Sequence, residues 1–175
     1  MPDADNPDSS DQPGTPPAGT LPSSADDRDV LAFLRLHQLN GPPVYVDYLE
    51  GPYGENWCHV SAKHKAITDG GRRVHGWALW AYGNVVVGDH HSVWETPDKK
   101  LVDVTPPKFG ERRVLFVRDD TATIDYDGDH FLLLTNRSSD PHAAWMMDGR
   151  PSEYSHYPSD LSRPVLVDYC ASFGI

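Results

Sequence analysis

Val30, Phe33 and Leu34 recur at the i, i+3, i+4 spacing of a helix that buries one face. Ser24 precedes the run as N-cap, and Asp26, Asp27 and Asp29 suit the dipole of its first turn. His37 extends the stripe, and the Asn-Gly-Pro-Pro stretch at 40 to 43 ends it. A β-prone run, VYVDYL at 44 to 49, and a loop at 50 to 56 follow. The pattern then predicts a second helix over 57 to 68, with Val60, His64 and Ile67 as its stripe and Gly70 and Gly71 as its stop. Cys58 falls in its first turn. Three β-like runs come next, at 73 to 82, 84 to 96 and 100 to 106. Short turns at 83 to 84 and 97 to 100 suit an antiparallel meander. RRVLFVRD, from 112, adds a fourth strand. HFLLLT, from 130, reads as strand or helix, and Pro- and Ser-rich segments lead to a closing RPVLVDYCASF. No internal repeat is present, and the expectation is one α+β domain over 25 to 175.

Composition changes this picture mainly at one end. Residues 1 to 24 hold Pro, Ser, Asp and Gly with almost no large apolar side chains, too little to offset the entropy of ordering, and are expected to be a disordered acidic tail. Four Asp in the tail account for part of the formal net charge of −11. The rest is an acidic but ordinary domain, and 175 residues suffice for one core. Such a balance, with no basic cluster longer than two residues, argues against nucleic-acid binding. The chain start lacks the charged and apolar regions of a secretory signal, and no apolar run is long enough to span a membrane. The expectation is a cytoplasmic protein without membrane or nucleic-acid partners; oligomeric state stays open. Two cysteines, Cys58 and Cys170, are too few for a disulfide framework and would remain thiols in a reducing compartment.

A cysteine in the first turn of a helix is acidified by the backbone N–H groups and the dipole, which also favour an oxyanion there. Thiol catalysis further needs a base and a group to orient that base. The strand at 84 to 96 supplies His90 and His91, which point to opposite faces, so only one can meet Cys58. Asp103, a carboxylate among apolar residues in LVDVTP, implies a partner. A turn at 97 to 100 would return it beside the early part of the histidine strand. The plain alternatives are a buried, inert Cys58, a satisfied semi-buried histidine at His91, and Asp103 capping a turn through Thr105. Cys170 reads as a core residue and His90 as solvent-facing or a substrate contact. Trp77, Trp80 and Trp94 read as core aromatics, one of which could line a cleft.

The run CHVSAKHKAITDGGRRVHGWALW, followed by HHSVWE and LVDVTP, resembles the transglutaminase-like branch of the papain-like thiol enzymes. It is closest to a group of small uncharacterised bacterial proteins with the same Cys, Gly-Gly, Gly-Trp, His and Asp landmarks. The likeness covers residues 56 to 107. It implies a papain/transglutaminase-like core, in which the helix carrying the Cys packs on an antiparallel sheet. By the H-x-V-W spacing it implies Cys58 as nucleophile, His91 as base and Asp103 as its orienting partner. The papain-type Cys-Gly-Ser-Cys-Trp sequence is absent, and Asn56, Trp57 and His90 are the candidates for substrate and oxyanion contacts. An Asn is common in the bacterial group where this chain has Ser61. The implied activity is cysteine-hydrolase or acyltransferase chemistry on an amide of a peptide, protein or small molecule, by hydrolysis, deamidation or transfer, and requires no cofactor.

Two other functions compete with it. One is a non-catalytic module on the same fold that binds a peptide or small molecule. The other is zinc binding through Cys58 with His59, His64, His75 and the GDHH segment, although HExxH and CxxC motifs are both missing. DYDGD at 125 to 129 lacks the spacing and closing Glu of a calcium loop and reads as a hairpin turn.

Overall fold

The computed structural model describes residues 19–126, 130–142, 146–147, 150–151, 154–158, 168 and 171–172. Along the chain lie α1 (Arg28–Leu36), β1 (Val44–Asp47), α2 (Cys58–Asp69), β2 (Arg72–Tyr82), β3 (Val85–Glu95), β4 (Leu101–Val102) and β5 (Arg113–Arg118). Further short strands are β6 (Asp125–Tyr126), β7 (His130–Leu134), β8 (Arg137–Ser138), β9 (Met146–Met147), β10 (Arg150–Pro151) and β11 (Tyr154–Pro158). Mixed helix and antiparallel sheet make this an α+β chain. Among the described residues no helix is long and apolar enough to cross a membrane. Residues 1–18 and Cys170 lie outside the described part.

The main sheet has the order β1-β5-β2-β3-β4, with β8 also paired to β3. The expected meander is therefore interrupted: β5 returns to insert between β1 and β2. Each neighbour along this path is antiparallel, so β4 runs parallel to β1, and the two edges meet. Just past them, Tyr48 and Asp103 form a parallel bridge, with Asp103 N–H donating to the Asp47 carbonyl at 3.0 Å and Leu49 N–H to the Asp103 carbonyl at 2.8 Å. The sheet is thus curled nearly shut. Its enclosed face carries Val46, Val74, Ala78, Trp80, Val93, Val114 and Phe116.

Both helices cover the outer face. Val30, Phe33 and Leu34 of α1 pack on Trp77, Leu79, Val86, Leu115 and Val117, as their spacing predicts. The cap differs: Asp27 accepts from Asp29 N–H at 3.0 Å, while Ser24 closes the preceding turn by accepting from Asp26 N–H at 3.1 Å. A nearer carboxylate takes the capping role. Residues 19–24, expected in the tail, belong to the fold. Thr20 pairs with Ala81 through two backbone hydrogen bonds beyond the end of β5, and Pro22 accepts from the Tyr45 hydroxyl.

For α2 the predicted stripe is wrong. Cys58, His59, Ser61 and Ala62 are buried, whereas Ile67 is 65% exposed and His64 is held by the Tyr53 hydroxyl at 2.9 Å. The buried face is small and mixed: His59 meets Ser92, while Ala62 packs with Tyr53, Trp94, Val102 and Val104. The Gly-Gly stop is as expected. Gly70 caps the helix with φ 79°, its carbonyl accepting from the Trp94 indole at 2.8 Å. Gly71 has φ 81°, and a Cβ there would stand 2.1 Å from the Glu95 carbonyl. The third run is strand only at 101–102, since the bridge to Tyr48 takes the chain away at Asp103. HFLLLT resolves as a strand, β7, antiparallel to β6, and residues 127–129 of DYDGD, where a hairpin turn is expected, lie outside the described residues. Of the closing RPVLVDYCASF, only residues 168 and 171–172 are described.

Gly71→Ala is expected to cost roughly 2 kcal/mol or more, through both the positive φ and the clash with backbone. Gly83→Ala, at φ 63° with nothing near its missing Cβ, should cost only the strain of about 1 kcal/mol. Urea unfolding of the two variants checks the difference.

Candidate functional site

On the edge of β3 away from β2, β4 pairs with Trp94 and Glu95 and β8 with Val87 and Gly88. Among the described residues no strand covers the stretch between them. Cys58, the first residue of α2, sits at this opening, where an outer-face helix can reach a side chain on the enclosed face. The enclosed-face side chain is His91, opposite Gly76 of β2, and the outer-face one is His90, opposite Trp77. Alternation along β3 therefore selects His91.

Asp103 is fully buried, and its carboxylate accepts from His91 Nε2 at 3.0 Å and from Thr105 N–H at 2.9 Å. The two expectations for Asp103, orienting a histidine and capping a turn at Thr105, are both realised. Its position differs from the expected one. Trp94 pairs with Val102, which sets Asp103 level with Val93, past the middle of the strand and diagonal to His91 on the same face. Holding Nε2 leaves Nδ1 of His91 for the thiol.

Burial opposes charge on Cys58, yet the neighbouring rings of His59 and His91 overcome it and bring the thiol well below its ordinary range. Burial would likewise lower His91, but Asp103 and Cys58 raise it well above the usual histidine value. Both shifts favour a thiolate beside an imidazolium. His59 acts on the thiol while its Nδ1 lies 2.7 Å from Ser92 Oγ. Arg73, donating to the His59 carbonyl at 3.2 Å, adds a positive field felt by Cys58.

A cleft of about 260 Å³ opens onto Cys58 and His91, with walls from Asn56, Trp80, Asp89, Thr105, Lys108 and Asn136. Asn56 adopts φ 65°, two residues before the thiol. Trp57 is the half-buried N-cap residue and does not line the cleft. Trp77, Trp80 and Trp94 are all buried, and Trp80 also forms cleft wall. His90 borders the cleft but is not solvent-facing. It is 9% exposed, its Nε2 lies 2.7 Å from the Ala122 carbonyl and its ring lies 5.6 Å from Trp77. Of the zinc set expected from sequence, His59, His75 and His90 of the GDHH segment are brought together, whereas His64 stands apart on the Tyr53 hydroxyl.

Sequence reasoning missed Ser92 and the linking of His59 to His75 through it, at 2.7 and 2.9 Å. The alternation of β3 could have placed Ser92 beside His90, two residues away on the outer face. The docking of His59 on it has no signal in the sequence.

Asp103→Asn is expected to lower the His91 pKa while keeping the Thr105 bond. A histidine raised on folding adds stability that is complete below its unfolded value of about 6.5 and is lost as pH rises through the folded value. The variant should lose that contribution, as histidine NMR titration and urea unfolding on both sides of this window would show.

Comparison of the chain with known protein families, with curated proteins and with solved structures finds no match.

Proposed function

We propose that the protein performs thiol-dependent acyl chemistry on amides through Cys58, His91 and Asp103, on a papain/transglutaminase-like core. The carrying observation is that a buried Asp103 fixes Nε2 of His91 and so directs Nδ1 to a thiol at a helix N-terminus. Cys58 thiolate attacks the amide carbonyl carbon, and the C–O π pair moves to oxygen. The first-turn N–H groups, which a helix leaves without internal acceptors, and the Asn56 amide stabilise that oxyanion. His91 gives its proton to the leaving nitrogen, the C–N bond breaks, and an acyl thioester remains. A water or an amine, losing its proton to His91, then attacks the thioester and releases the thiolate. The cleft suits a glutamine-sized or short peptide segment more than a large cofactor. A free thiol nucleophile fits a reducing, cytoplasmic setting.

Alkylation of Cys58, followed by peptide mass spectrometry, should continue at pH values well under the unperturbed thiol pKa of about 8.5 and lose that reactivity in His91→Ala. The sign follows from the depressed thiol pKa: thiolate is present above the folded value and is lost as pH falls through it. Turnover of an amide should rise along that limb and fall as His91 deprotonates above the usual histidine range. Cys58→Ala should abolish turnover, and His91→Ala should lower it ~10²–10⁴-fold, both with an unchanged circular dichroism spectrum. Full activity in either folded variant, or an ordinary thiol titration, would overturn the assignment and favour a binding module.

A further inference from the structure

On the outer face of the sheet, behind the thiol, three imidazoles converge. His59 comes from α2, His75 from β2 and His90 from β3. One ring nitrogen from each lies within 4.8 Å of the other two. Ring centroids are 4.5 Å apart for His59 and His90, 5.8 Å for His59 and His75, and 6.2 Å for His75 and His90.

The hydrogen bonds of these rings are distributed in a specific way. Ser92 Oγ, on a fully buried serine, meets Nδ1 of both His59 and His75 at 2.7 and 2.9 Å. Its two lone pairs can accept both N–H groups. Nε2 of His90 donates to the Ala122 carbonyl at 2.7 Å. Each ring is thus fixed through one nitrogen. Of the remaining nitrogens, His59 Nε2 and His90 Nδ1 are buried and have no hydrogen-bond partner among the described residues. Residue exposure is 7% for His59 and 9% for His90.

Buried polar atoms are rarely left unpaired, and two in one cluster need an explanation. A neutral imidazole that donates through one nitrogen keeps a lone pair on the other. Outer nitrogens held by a hydroxyl and a carbonyl, with inner lone pairs left over, is the outer-shell arrangement that orients metal-ligating histidines. We propose that His59, His75 and His90 form a binding site for one divalent transition-metal ion of borderline softness, zinc being the fitting type. Tetrahedral zinc with Zn–N near 2.0–2.1 Å requires nitrogens ~3.3 Å apart, so small ring rotations close the site. The site shares His59 with the surroundings of the thiol but uses neither Cys58 nor His91 as a ligand.

The test uses the full chain, freed of metal by a chelator and titrated with Zn²⁺ by calorimetry and with Co²⁺ by visible absorption. One ion per chain is expected, with Co²⁺ giving the intense bands of four-coordinate nitrogen ligation. His75→Ala, at the half-buried position, should weaken binding by ~100-fold or more, since loss of an outer-shell partner alone costs ~10–100-fold. Ser92→Ala, which removes no ligand, should weaken it by that smaller factor and serves if His75→Ala fails to fold. His64→Ala and Cys58→Ala should each still bind one ion; persistence in Cys58→Ala separates this site from the thiol reading. Overturning results are no saturable binding, or equal affinity in folded His75→Ala or Ser92→Ala; buried water would then satisfy the two nitrogens.

Discussion

A carboxylate with no exposed surface is the constraint on which this structure turns. Charge is expensive to bury, and Asp103 is tolerated because its oxygens accept from His91 and from the Thr105 peptide while its own peptide joins two strand edges. The side chain and the backbone of one residue therefore perform different tasks at the same point: one orients a base, the other draws the sheet closed. Truncating the side chain would strand an imidazolium, and shifting the backbone would open the seam.

Sheet closure in turn explains the site's position. With β4 diverted toward Tyr48 after two paired residues, the middle of β3 loses its neighbour, and the interior becomes reachable from the edge. A helix packed outside can then offer its first residue to a histidine pointing inside. The alternation of β3 distributes the two adjacent histidines: His91 serves the enclosed face, and His90 joins a buried polar cluster outside with His59, His75 and Ser92. Two polar assemblies share one strand without competing for side chains.

The grouping of Cys58, His91 and Asp103 was legible in the sequence because each member breaks a local rule: a thiol at a helix start, a pair of histidines inside a strand, a carboxylate in an apolar run. The α1 face and the β2–β3 hairpin followed from spacing and turn residues. The buried face of α2 was misread because Val60 and Ile67 were assumed to mark the core, whereas His59 and Ser61 face inward and Ile67 remains in solvent. The position of β5 and the bridge at Tyr48 escaped for another reason. Pairings between distant segments leave no periodicity in either one. For the three-histidine cluster the sequence offered its members only within a wider set that included His64 and Cys58, since they come from three elements.

The bridge at the seam also affects timing. Joining Tyr48 to Asp103 requires all the intervening chain to be laid down first, and such non-local contacts form late and slowly. Until then Asp103 cannot orient His91, and Cys58 has the reactivity of any thiol in a loose chain. In a newly made or partly unfolded molecule Cys58 therefore lacks the ring partners that lower its pKa, and gains them only with completion of the fold.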